Sequence, residues 1–533
     1  MIYTSKNNLS FYLKSFLWSF GISLVVYSFM LFQFWWGNHD WEHIKEGMNL
    51  LSGLYEVRFS QHIPTVLLLD GHILPIVVIS LSLALITLQA ILMAKYLKIP
   101  ENFKSYMIFI LFVVLNPYLF IFFYYVYIAL PLSFWGTAVI ALLYITEKSE
   151  SKKYWLLGGI GFFLILGSYL PNMALAFTLF MAKRCINYVN KQENFKKIVK
   201  KGLIFLSQIS LAYAGFSLVR KYLTQSDFVN TGMYNLAILP PQEIAHHLPT
   251  EMLQSVTQFF HPYTFLDTTY CILLAVIFIA AIGITYHKAP NKWIYVALVF
   301  ILCIVSRYAF ILSARPDMAT VRLEYWGRLG LYVFALSVLL NHHKQWIKNM
   351  VLLWAIITVS LFIKTDFEIE KVQYLGFNAG RKHQSRIQEN ILIHPAFENK
   401  AKYISYTFGA IPFRKQYYQD IYNTPEMTGY AIYHIFGIVS NLFWEEKINP
   451  TAIEVGIEGQ NIWRIGLAHA DKWFDREYWQ NNPTNMKNIR FWLYHDAKYN
   501  SVYVDDKYII MVLDLPSFYK NREILASRLD KKQ

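Results

Sequence analysis

Apolar positions run unbroken over long stretches of the first two thirds of the chain, among them Ser15–Trp36, Ile73–Ala94, Trp155–Leu170, Leu203–Val219, Ile272–Ile284, Trp293–Ser306 and Met350–Ile363. Each approaches or reaches the roughly 20 residues that cross a bilayer core of about 30 Å. Short basic loops separate them. The alternation predicts eleven crossings, at about 15–36, 73–94, 105–122, 129–146, 154–170, 171–186, 202–221, 266–286, 293–311, 325–341 and 347–363. Lysines at both ends of 105–146 and of 154–186 require an even number of crossings in each. The first run is therefore split at a proline turn around Pro131 and the second at Pro171.

Composition refines this picture. The chain has 533 residues, 55% hydrophobic and 17% aromatic, with a net charge of +14. Residues 364–533 carry 22 Lys/Arg against 20 Asp/Glu, so 27 basic and 15 acidic residues, a balance of +12, belong to residues 1–363. Of those 27, 19 sit in the amino-terminal tail and the loops Lys95–Lys104, Lys148–Lys153, Lys183–Lys201, Lys288–Lys292 and Lys344–Lys348. That is the positive-inside pattern and not a nucleic-acid surface; it puts those loops and the amino terminus in the cytoplasm and the carboxy terminus outside. The first run is too long for a signal-peptide core and lacks a small-residue cleavage site after Trp35-Trp36, so a retained helix is expected. The three cysteines, Cys185, Cys271 and Cys303, lie in or beside spans without metal spacing.

The expected fold is thus a polytopic α-helical membrane protein: a transmembrane domain over residues 1–363 with about 11 helices, and a carboxy-terminal extracytoplasmic α+β domain over 364–533. In the latter, "RFWLYHD" from Arg490 and "SVYVDDKYIIMVLDL" from Ser501 alternate as strands, the second as a hairpin. Three sizeable loops, 37–72, 222–265 and 312–324, fall on the outer side.

The first of these loops opens with "NHDWEHIKEG" from Asn38. After Asp40, residues Trp41, Ile44, Met48, Leu51 and Tyr55 recur at helical spacing opposite Glu42, His43, Lys45, Glu46 and Asn49, which predicts an amphipathic helix lying in the membrane interface. Asp40 then sits where a span meets that helix. It either caps the helix or acts as a general base on an acceptor hydroxyl. Glu42 is a second acid, a metal ligand, or a carboxylate favoured by the helix dipole. His39, His43, His62 and His72 share the loop without a spacing of specific metal meaning. No metal site is assigned, and a divalent cation is left open as the only cofactor.

Outside the cytoplasmic loops, the membrane part keeps eight basic residues, Lys45, Arg58, Arg220, Lys221, Arg307, Arg315, Arg322 and Arg328. Six are arginine, whose planar fork suits phosphate. In "SARPDMATVRLEYWGRLGLY" from Ser313, Arg315, Arg322 and Arg328 with Tyr325 and Trp326 surround an outer loop. They are phosphate candidates, or else they snorkel to the interface and pair with Asp317 and Glu324.

A first outer loop with Asp near its start, an amphipathic helix and then "YEVRF" from Tyr55 resembles the GT-C class of membrane glycosyltransferases, and most of all the serotype-converting O-antigen glucosyltransferase family. The stretches "LNPYLFIFFYYVYIALPLSF" from Leu115 and "GSYLPNMALAFTLF" from Gly167 are similar to two further elements of that family. Departures are Val57 where the family has glycine, apolar and aromatic residues in place of an Arg-Phe-Asp portion, and Leu170 for the glutamine after Tyr169. The resemblance covers the layout of residues 15–345. It implies an inverting enzyme of the bacterial inner membrane that moves glucose from a polyprenyl phosphate to O-antigen or a similar polysaccharide or glycolipid acceptor. Upstream, a donor synthase and a flippase would serve it. It further implies Asp40 as base with Glu42 beside it, and His39, Arg58 and Tyr169 as substrate contacts, to which the outer arginines would add their charge. The rivals are a GT-C transferase of another sugar onto lipid A, protein or wall polymer, a flippase of lipid-linked sugars, and a receptor or scaffold.

Overall fold

The computed structural model describes residues 6–32, 47–54, 58–119, 123, 126–169, 172–225, 268–308, 321–392, 404–408, 453–455, 501–504 and 508–512. The chain divides into two units, one holding the described residues up to Glu370 and the other those from Lys371 onward.

The first unit is helical. Its elements are α1 (Lys6–Val26), α2 (Ser28–Phe32), α3 (Ile63–Leu69), α4 (Pro75–Tyr96), α5 (Phe103–Val114), α6 (Val126–Thr146), α7 (Lys152–Leu166), α8 (Asn172–Val189), α9 (Phe195–Gln225), α10 (Thr268–Lys288), α11 (Lys292–Tyr308) and α12 (Val321–Leu340). Helix α13 (Gln345–Leu392) begins in this unit, and the division falls within it. Among the described residues, five stretches are long and apolar enough to cross a membrane: Leu9–Val26, Pro75–Tyr96, Val126–Thr146, Phe195–Tyr222 and Gln345–Lys371. Shorter apolar helices lie at Phe103–Val114, Ile272–Lys288, Lys292–Ser306 and Leu329–Leu340.

Helix α1 shows which solvent these helices suit. Leu9, Leu13 and Leu17, one turn apart, are 63%, 55% and 58% exposed, while Ser15, Ser19 and Ser23 are fully buried. Water would favour the reverse arrangement. Lipid tails match leucine and leave the small polar residues to pack against neighbouring helices. Hydroxyls within the apolar helices turn back on their own backbone: Ser82 Oγ donates to the Val78 carbonyl (2.6 Å), Ser133 Oγ to Ala129 (2.7 Å) and Thr178 Oγ1 to Ala174 (2.6 Å). Such bonds satisfy groups that find no water in a bilayer core. Between helices, the Gln208 amide of α9 donates to the Trp155 carbonyl of α7 (3.0 Å) and accepts from Thr146 Oγ1 of α6 (3.0 Å). The Phe205 ring stacks on Phe180 at 4.4 Å and meets Phe162 edge-on at 5.6 Å. This is the architecture of a helical membrane protein.

One predicted break moves. Pro131 lies inside α6, not at a turn. The chain breaks instead after α5, where Leu115 caps the helix and a short 3-10 turn covers Pro117–Leu119. The cause is local, because Pro117 disfavours the helical conformation at Asn116. The other break falls where expected, between Leu166 and Asn172.

At the lysine-rich end of the unit, α6, α8 and α9 meet in a buried ion cluster. Arg184, fully buried, pairs with Glu147 and forks onto Glu193 at 2.8 and 2.9 Å. Lys201 bridges the same two carboxylates, each at 2.7 Å, and Lys183 reaches Glu147 at 3.5 Å while lying 3.7 Å over the Tyr96 ring. Burial pushes the Glu147 carboxyl up, but Arg184, Lys183 and Lys201 outweigh it and hold the group below its ordinary range.

In the second unit, β1 (Ile404–Phe408), β2 (Ile453–Val455), β3 (Ser501–Val504) and β4 (Tyr508–Val512) form a mixed sheet in the order β2-β1-β4-β3. β1 pairs in parallel with β2 and β4. β3 and β4 pair antiparallel with Ser501 opposite Val512, where alternation predicts the hairpin. The stretch from Arg490 lies outside the described residues.

Candidate functional site

The described part of the loop expected to be the first outer one begins at Gly47 and, from there to Leu54, is built of turns. The predicted amphipathic helix therefore does not run through Met48 and Leu51. Three interactions take its place. The Met48 N–H donates to the Gly71 carbonyl (2.8 Å), the Asn49 side chain accepts from the Leu51 N–H (2.8 Å), and Ser52 Oγ accepts from the Asn49 N–H (3.0 Å). Side chains of this kind offer the backbone partners that compete with helical bonding. The close approach needs Gly71, whose φ is +80° and where a Cβ would sit 2.0 Å from the Met48 oxygen. Met48 is buried and Leu51 exposed, so the two do not share an apolar face.

Beyond this turn the chain dives between α6 and α7. The Ser60 N–H donates to the Gly167 carbonyl (2.9 Å), Ser60 Oγ to Leu164 (2.5 Å), and Trp135 Nε1 of α6 to the Ser60 carbonyl (3.0 Å). Phe59 packs on Phe163 at 4.9 Å and fills the space a side chain at Gly167 would need, since a Cβ there would lie 2.2 Å from the Phe59 ring. With Phe59 and Ser60 anchored, the half-buried Arg58 guanidinium is held 5.5 Å over the Tyr169 ring, and its Nη1 reaches the Gln61 side chain at 3.5 Å. A half-buried cation over such a ring is worth about 0.5–2 kcal/mol. His62, buried, lies parallel to Tyr127 at 6.3 Å.

Two stretches distant in sequence thus meet, "YEVRF" through Arg58 and Phe59 and the stretch from Gly167 through Gly167 and Tyr169, while the stretch from Leu115 reaches His62, a few residues on, through Tyr127. No protein-family model matches the sequence, and no curated protein does.

Beside Tyr169, Asn172 opens α8 with its N–H on the Tyr169 carbonyl (3.0 Å). Its side-chain amide is fully buried and bonds to none of the described residues. A cation over an aromatic ring, an unsatisfied amide and a buried imidazole together suit an anionic, hydroxyl-rich ligand: the guanidinium opposes charge and the amide reads hydroxyl or phosphate oxygens.

Of the other expected site residues, His39, Asp40, Glu42 and Arg315 lie outside the described residues. Arg322, Tyr325 and Arg328 fall on the first two turns of α12. Sequence reading did not single out Gln61, Trp135 or Asn172. Gln61 and Asn172 were within its reach, each next to or inside a quoted stretch, whereas the indole bond of Trp135 has no signal in spacing.

Proposed function

We propose that the chain is a GT-C-type glycosyltransferase of the bacterial inner membrane, with eleven spans, its amino terminus inside and residues 364–533 as an extracytoplasmic α+β domain. It moves a sugar, glucose by resemblance, from a polyprenyl phosphate to a surface polysaccharide such as O-antigen. The observation that carries this reading is the meeting of Arg58 with Tyr169, because both come from stretches that resemble the same family and periodicity alone gives no reason for them to touch.

In this reading Asp40 takes the proton of an acceptor hydroxyl as its oxygen attacks the anomeric carbon in line. The bond from that carbon to the phosphate oxygen breaks, and the polyprenyl phosphate leaves with the electron pair. A single displacement inverts the anomeric centre. Arg58, with Arg322 from α12, opposes the charge that grows on the leaving phosphate. Glu42 and His39 flank the base.

The test supplies the purified protein in detergent with a radiolabelled polyprenyl-phosphate hexose and candidate acceptors. Transfer should fall by about 10²- to 10⁴-fold in Asp40→Asn. An unchanged rate removes Asp40 as the base. Failure of the wild type with every donor removes the transferase and leaves the flippase.

A further inference from the structure

At the end of the first unit where α1 finishes and α4 begins, α13 carries two carboxylates one turn apart, Asp366 and Glu370, which are 0% and 1% exposed. They face the end of α1, and their surroundings leave them nearly unpartnered. Asp366 Oδ2 accepts from the Tyr27 hydroxyl at 3.4 Å, a long bond from a proton that Tyr27 shares with the Val114 carbonyl at 3.3 Å. Asp366 Oδ1 and both Glu370 oxygens make no hydrogen bond of good geometry to any of the described residues, although the Met30 backbone N–H faces Glu370. The lysines on either side in sequence do not help: Lys364 pairs with Glu368 at 3.7 Å on the exposed side of the helix, and Lys371, next to Glu370, is exposed. A buried, unpaired charge costs several kcal/mol, so two such carboxylates either hold protons or are completed by a cation. By contrast, the five charges at the lysine-rich end of the same unit are paired with one another.

We propose that Asp366 and Glu370 are ligands of a divalent cation, bound through Asp366 Oδ1 and the Glu370 carboxylate. The charges match, two anions to one ion of +2. Hard cations of the magnesium, manganese and calcium kind take carboxylate and neutral oxygens and keep waters where protein ligands are few. Tyr27 then acts as an outer partner: its hydroxyl holds Oδ2 and turns Oδ1 toward the ion. The described residues supply two carboxylate ligands, an all-oxygen set of the kind magnesium and manganese take. The inference is independent of the transferase reading.

Manganese serves as the probe. The full-length protein is stripped with chelator in detergent at fixed ionic strength, and free Mn²⁺ is counted by its electron paramagnetic signal. The wild type should bind one more Mn²⁺ per chain than the Asp366→Asn/Glu370→Gln double variant, and Mg²⁺ should displace it. Tyr27→Phe, which keeps the ring and its packing, should weaken binding by about tenfold. Equal Mn²⁺ binding by the wild type and a folded double variant overturns the proposal. So does a double variant more heat-stable than a wild type whose melting is insensitive to Mn²⁺, since the pair then holds protons.

Discussion

The two ends of the first unit bury charge in opposite ways. At the lysine-rich end Arg184, Lys183 and Lys201 share Glu147 and Glu193 in a closed network. At the other end Arg58 rests on an aromatic face, Asn172 keeps an unused amide, and Asp366 and Glu370 have three oxygens without a good partner. A closed network locks helices together. An open set of polar groups is costly to fold and is retained where a ligand completes it. Under the two proposals, one end serves stability and the other binding.

The sharpest way to break this comparison is to remove one charge from each end. Arg184→Met removes the fully buried cation of the cluster and leaves Glu147 and Glu193 to the lysines alone, and should destabilise the protein by about 3–5 kcal/mol. In detergent this would read as a large fall in melting temperature, or as failure to purify as a single species. Glu370→Gln removes a buried carboxyl that no described side chain pairs. Without added cation its melting temperature should equal or exceed that of the wild type, by up to about 2 kcal/mol in stability. If the two substitutions cost the same, the ends do not differ in kind.

Acid should act on the closed end. The Glu147 carboxyl is held below its ordinary value of 4.5 by the three cations around it, against the pull of burial. Its contribution is therefore fully present above that ordinary value and is lost as pH falls through the lower, folded one. Melting temperature against pH should drop more steeply below about 4.5 in the wild type than in Glu147→Gln. Parallel curves would mean that the cluster does not depend on this charge.

How much of this was legible in the sequence follows from what pattern carries. Long apolar runs and lysine-rich loops mark the helices because the bilayer demands both. The turn after α5 was misplaced because two prolines compete in that run. Pro117 ends a helix through the residue before it, whereas Pro131 is absorbed within α6, where neighbouring groups can take up the freed backbone. Periodicity suggested a helix through Met48, but Gly71 and Asn49 are tertiary and local devices with no periodic signature. Arg58 was named through charge placement and resemblance and Tyr169 through resemblance, and their contact is a property of the fold. Asp366 and Glu370 went unread because the apolar run ends at Ile363, while α13 continues past them.

A smaller effect separates the two ends once more. Arg58→Ala removes a guanidinium that is half-buried over Tyr169, and truncating that contact should cost about 0.5–2 kcal/mol in stability. Under the transferase reading it should lower transfer far more than that loss explains, with the rate restored only in part by Arg58→Lys, because a lysine keeps the charge without the planar fork.

The smallest effect tests whether burial or charge count makes the lysine-rich end strong. Lys200 and Glu150 form an ion pair at 3.1 Å beside the cluster, but they are 63% and 66% exposed. Water screens such a pair, and ordering two long side chains offsets most of its attraction, so Lys200→Ala should change stability by about 0–1 kcal/mol. Lys201, one residue on, is only 20% exposed and touches both carboxylates of the cluster. Lys201→Met should cost clearly more than Lys200→Ala in the same melting experiment. Equal losses would mean that the end is held by its overall positive charge, and that the network around Arg184 is incidental to it.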